Sequence, residues 1–106
     1  VMSSAFQHIE VLRMPRKSFD GFAFDINDHG DIVGESEMAY PGSKGSVGNL
    51  TAYLWEQGEP VDLNSRIARD SGWNLGSANA INNAGVIGGY GGFDVGRRGF
   101  VLIPNQ

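Results

Sequence analysis

Short apolar stretches broken by glycine, asparagine and proline run along the whole chain. Residues 23–26, 32–34, 52–55, 61–63 and 99–103 are too short for buried helices and rich in β-branched and aromatic side chains, which predicts strands. Phe6-Gln7-His8-Ile9-Glu10-Val11-Leu12 alternates in the manner of a strand as well. Glu56-Gln57-Gly58-Glu59 marks a turn, and Pro60 just after it suits a strand start or a sheet edge. One stretch reads differently. Leu63 and Ile67 stand at i and i+4, Asn64 or Ser65 offers a cap and Gly72 a stop, so residues 63–70 predict a short helix.

Two of these stretches are copies of each other. Ala23-Phe24-Asp25-Ile26-Asn27-Asp28-His29-Gly30-Asp31-Ile32-Val33-Gly34 aligns with Ala78-Asn79-Ala80-Ile81-Asn82-Asn83-Ala84-Gly85-Val86-Ile87-Gly88-Gly89 at a constant offset of 55 residues. The shared frame is Ala-x-x-Ile-Asn-x-x-Gly-x-Ile-x-Gly. It reads as a hairpin. Asn27 and Asn82 can accept from the backbone two residues on, and Gly30 and Gly85 supply the positive φ that closes the turn. These four are the expected turn-forming residues.

The strand order is then one, three, one, three. It predicts an all-β fold in a single domain over residues 1–106, made of two four-stranded repeat units with one short helix. Unit one covers residues 20–63. Unit two covers residues 76–104 and is completed by the N-terminal strand 6–12. The arrangement is expected to be propeller-like, with a compact β-sandwich as the alternative. Open strand edges attract partners, and two units cannot close a ring alone, so a homo-oligomer is expected. Pro41-Gly42-Ser43-Lys44-Gly45-Ser46-Val47-Gly48-Asn49 reads as a flexible loop, and residues 91–96 as its shorter counterpart.

At these residues the chain resembles the HAF-type "extracellular repeat" proteins. Their units read Ala-x-x-Ile-Asn-x-x-Gly-x-Ile-Val-Gly-x-Ser, then Ala-Phe-Leu-Trp, then Asp-Leu. Here that pattern is carried by residues 23–36, by Ala52-Tyr53-Leu54-Trp55 and by Asp62-Leu63-Asn64. The second unit resembles a terminal repeat of the family, through Asp70-Ser71-Gly72-Trp73, residues 78–91, Gly99-Phe100-Val101-Leu102 and Pro104. The resemblance implies an array of propeller-like β-units in an extracellular setting, and brings no activity or catalytic residue with it.

Composition narrows the functional classes. Hydrophobic residues at 41% and charged residues at 19% fit a globular domain, and the 16 glycines fit many tight reversals. The formal net charge is −4 and the densest basic groups are Arg13, Arg16 and Lys17, and Arg97 with Arg98, which argues against nucleic acid or an anionic membrane as partner. Without cysteine there is no disulfide, thiol nucleophile or thiolate zinc site. No charged-then-apolar signal pattern opens the sequence, so the chain as given is expected where it is made, in the cytoplasm.

Candidate chemistry is sparse. Asp25, Asn27 and His29 copy part of a calcium loop, but the second copy has Ala80 and Ala84 at ligand positions, so turn geometry is what the copies share and no metal is expected. His8 and His29 have no metal-spaced partner, and the serines lack a Gly-x-Ser-x-Gly context. Trp55 is expected to fill the space between sheets. Trp73 and Tyr90, beside glycines, are the candidates for stacking on a sugar or a peptide. The expected function is thus a non-enzymatic binding module for a glycan or protein ligand. A self-assembling structural protein is the alternative, and an enzyme the weakest reading. No cofactor is implied.

Overall fold

A computed structural model of the protein describes residues 5–16, 18–38 and 49–105. Among the described residues seven strands form two antiparallel sheets. Sheet one holds β1 (Ser18–Ile26), β2 (Ile32–Met38), β3 (Asn49–Glu56) and β4 (Glu59–Asp62) in sequence order. Sheet two holds β5 (Trp73–Ile81), β6 (Ile87–Phe93) and β7 (Gly96–Leu102), again in order. One 3₁₀ turn, Leu63–Arg66, connects them. The fold is all-β.

The repeated frame makes two nearly superimposable turns. Asn27 Oδ1 accepts from the backbone of His29 and Asp31, both at 3.0 Å, and Asn82 Oδ1 accepts from Ala84 and Val86, also at 3.0 Å. Each Asn carbonyl also accepts from the glycine three residues on, at 3.1 and 3.0 Å. Gly30 and Gly85 stand at φ 85° and 84°, where an L side chain is strained. Between β3 and β4 the two-residue turn takes Gln57 and Gly58 at φ 51° and 83°, the positive pair that matches strand twist.

The sheets pack face to face. Strand alternation sends Val33, Ala52 and Leu54 of sheet one toward Leu75, Ala78, Ile81, Ile87 and Phe100 of sheet two, with Leu63 closing one side. Tyr53 and Trp55 alternate with those residues along β3 and therefore occupy the other face of sheet one. Trp55 is only 1% exposed, yet it is covered by the N-terminal segment: its Nε1 donates to the Arg13 carbonyl at 2.7 Å. The expectation that Trp55 fills the space between sheets is corrected accordingly. Parity allows either Leu54 or Trp55 to face sheet two, and the core takes Leu54.

Four other expectations change. Residues 6–12 form no strand, and Phe6, Ile9 and Val11 are exposed. Alternation alone makes no strand without an edge to pair with, and this segment is tied to sheet one by Arg13, which also pairs with Glu59. Unit two is therefore not completed by the N-terminal segment, and the repeats have four and three strands rather than four each. The helix is one turn, capped by the Asp62 carboxylate rather than by Asn64 or Ser65. Asn64 is drawn instead to β5, where it donates to the Leu75 carbonyl and accepts from the Leu75 amide at 3.0 and 2.7 Å. Residues 91–96 are mostly strand around a tight turn at Asp94 (φ 59°). The loop expected over residues 41–49 lies, but for its last residue, outside the described residues.

Candidate functional site

The frame residues come together at the seam between the sheets. Asn27 Nδ2 donates to the Asn82 carbonyl at 3.0 Å, and the Asp28 amide donates to Asn83 Oδ1 at 2.8 Å. Asn83 Nδ2 returns a bond to Asp28 Oδ2 at 2.8 Å. Asp25 bridges the units, one carboxylate oxygen accepting from Ile26 at 2.9 Å and the other from the Ile81 amide at 2.8 Å. The oxygens of Asp25 and Asn27 that mimic a calcium loop are thus directed at backbone amides. His29 contributes its own amide to the turn and leaves its ring exposed.

This ladder joins residue i to residues near i+55; the Asp28–Asn83 pair bonds in both directions, whereas at Asp25 and Asn27 only unit one supplies the side chain. Unit one supplies the Asn27 amide group and the Asp25 carboxylate, while unit two supplies the Asn82 carbonyl and the Ile81 amide. Turn-forming residues Asn27, Gly30, Asn82 and Gly85 therefore share a location, with Asn27 buried and Asn82 exposed.

Trp73 and Tyr90 are not brought together. Trp73 stacks on Phe93 at 4.8 Å between ring centroids and meets Phe100 edge-on at 5.9 Å, which makes it an extension of the core. Tyr90 lies on the opposite face of β6 from Phe93 by alternation, with the Arg97 guanidinium 5.5 Å from its ring centroid. They line separate shallow clefts. A further cleft of about 420 Å³ at the sheet seam is floored by Leu54, Leu63, Ile81, Ile87 and Leu102. Glu56 and Arg66, paired at 2.9 Å, stand in its wall. Among the described residues no three metal-ligating side chains converge, and no helix is long and apolar enough to cross a membrane.

The feature that sequence reasoning missed is the other face of unit one. Register pairs Ile26 with Ile32 and Ile32 with Trp55, as it pairs Ile81 with Ile87 and Ile87 with Leu102. The two sets are equivalent, yet Ile81 is 8% exposed against sheet one whereas Ile26 is 59% exposed. Phe22 and Phe24, with rings nearly parallel at 6.5 Å, add exposed aromatic surface along the same strand, Phe22 standing by register on the side of Glu35 and Ala52. Phe22 and Trp55 share a cleft with Val11, Leu12 and Met14. The signal was present in the alignment of the copies: a face buried in one unit has a counterpart in the other.

Tyr53, next to Trp55, has a testable protonation. Burial, with a smaller contribution from the Asp62 carboxylate, raises its phenol above the usual 10.0. In the unfolded chain the proton leaves near the ordinary value, so the folded state holds more protons above about pH 10 and stability falls as pH rises through that window. The melting temperature is expected to fall less steeply between about pH 9 and 11 (one unit either side of the free phenol) in Tyr53→Phe than in the wild type. Equal slopes would contradict this. No protein-family model, no curated protein and no solved structure matches the chain.

Proposed function

We propose that the protein is a propeller-like β-repeat module that works by binding another protein and performs no catalysis. The carrying observation is the asymmetry of the repeat: the face with which sheet two holds sheet one has a counterpart on sheet one that retains exposed apolar surface. Ile26 is 59% exposed on that face, and Phe22 and Phe24, at 48% and 46%, add exposed apolar surface along the same edge strand, Phe22 on the side of Ala52 by register. Single exposed apolar residues are ordinary, but a group on one strand is the kind of patch that marks an interaction surface. Face-to-face stacking of small antiparallel sheets in chain order is how propeller blades adjoin, and the HAF-type resemblance points the same way. A glycan ligand gripped by Trp73 and Tyr90 has less support, because the two rings lie on opposite faces.

A photo-crosslinking amino acid at position 24 is expected to give a discrete adduct whose peptides come from one protein species. The same group at Val101, exposed on the outer face of sheet two, is expected to give none. The reverse pattern, or glycan-array binding lost in Trp73→Ala, would contradict the reading. The homo-oligomer is a second reading, favoured by β1 being a nine-residue edge strand with exposed apolar side chains. On that reading light scattering gives a mass above the monomer that Phe24→Lys lowers.

A further inference from the structure

The interface between the two units has a polarity, and it specifies what the free face of unit one accepts. We infer that this face docks one more β-unit of unit one's own kind, in the same head-to-tail sense in which unit two docks onto unit one. This inference rests on the protein-binding reading above and names its partner.

Sheet one meets sheet two with Val33, Ala52 and Leu54, and with the Asp25 carboxylate on the Ile81 amide. Sheet two meets sheet one with Ile81, Ile87 and Phe100, packed with Leu102. The residues of unit one equivalent to that second set are Ile26, Ile32, Tyr53 and Trp55. They turn away from sheet two. A preceding unit would therefore approach them with a small aliphatic face and a turn carboxylate aimed at the Ile26 amide, which now donates to the carboxylate of its own neighbour Asp25. The Arg13–Trp55 bond and the Arg13–Glu59 ion pair hold the N-terminal segment across part of this face. Docking displaces that segment.

Unit two does not offer such a face to a second copy. Its equivalents of Asp25, Val33, Ala52 and Leu54 are Ala80, Gly88, Gly99 and Val101. The carboxylate is gone, two of the three aliphatic side chains are gone, and Val101 is 64% exposed where Leu54 is 7%. Unit two thus ends the stack, and unit one keeps its receiving side. Occupancy by a unit-one-type sheet continues an interface already built twice over in sequence and once in contact.

The test converts the tail of the full chain into a donor face. Ala80→Asp, Gly88→Val and Gly99→Ala restore the unit-one residues. Space is available, since a Cβ on Gly88 would lie 3.9 Å from the Phe100 carbonyl oxygen, and one on Gly99 3.7 Å from that of Gly89. By sedimentation at micromolar to submillimolar concentration, the triple variant is expected to reach a mass about twofold or more above wild type, as an open heterologous contact requires. Adding Ile26→Glu, at an exposed position, is expected to return the mass to the wild-type value. A folded triple variant with wild-type mass overturns the inference, as does assembly that survives Ile26→Glu. Should the triple variant not fold, Ala80→Asp alone, at an exposed residue, is judged by the same criteria. A wild-type mass here together with an adduct at position 24 would reject the β-unit as partner while leaving protein binding standing.

Discussion

Gly89→Ala is expected to abolish the stable fold, and Gly34→Ala to come close to doing so. These glycines close the repeated frame in each copy, and neither has a positive φ. Their requirement comes from a close approach of backbone. The register of β1 on β2 slips between Ala23 and Asp25, and that of β5 on β6 slips between Ala78 and Ala80, so each first strand bulges over its neighbour. A Cβ on Gly89 would overlap the Ser77 carbonyl oxygen and lie 2.9 Å from its carbon and 2.8 Å from Phe100 Cζ. On Gly34 it would overlap the Phe22 carbonyl oxygen and lie 2.8 Å from its carbon. Backbone cannot rotate aside as a side chain does, so the two neighbouring strands must separate locally. We expect each change to cost more than about 3 kcal/mol, against a total of roughly 5–15 kcal/mol for a domain. Gly30→Ala, by contrast, meets nothing within 4 Å and bears only its φ of 85°, for about 1 kcal/mol. Urea titration separates them: equal midpoints for Gly30→Ala and Gly89→Ala would refute the account.

The contrast also shows what could be read from the sequence. Asn27 and Gly30 were legible as a turn because their roles are local: a side-chain oxygen reaching amides two and four residues on, and a backbone angle that glycine tolerates. The β3–β4 turn at Gln57 and Gly58 was legible for the same reason. Gly34 and Gly89 stood in the same frame with no evident role, because what excludes a side chain there lies on another strand. The N-terminal residues were misread because alternation reports side-chain parity and says nothing of an available edge. Trp55 was correctly expected to be buried, but its parity partner Leu54 took the core. The free face of unit one could have been found by asking, position by position, which side of each copy the other copy covers. The fold class was written in local pattern, whereas the candidate interaction surface depended on how the copies stack.

The same stacking makes equivalent residues unequal. Asn27→Ala is expected to cost about 2–4 kcal/mol and Asn82→Ala about 1–2, although both occupy the same place in the same turn. Each side chain accepts from two backbone amides at 3.0 Å, so either truncation releases two donors. The Asn82 turn is exposed, and water can replace those bonds. Asn27 is 9% exposed. Its Nδ2 also donates to the Asn82 carbonyl across the seam and to Asp31 Oδ2 at 3.3 Å. Its removal thus weakens the turn and the joint between units at once. Asn27→Asp divides the two contributions. The carboxylate keeps the acceptor that shapes the turn, but it offers no donor and sets negative charge against the Asn82 carbonyl and the Asp31 carboxylate. That variant should retain the hairpin, seen as slow amide exchange at Gly30, while protection of the Ile81 amide, held by the neighbouring Asp25, declines. Asp25→Ala should produce the same loss at Ile81 more directly, since it removes the acceptor itself. If Asn27→Ala and Asn82→Ala destabilise equally, or if Asn27→Asp leaves Ile81 as protected as in the wild type, the polar ladder does not join the two units.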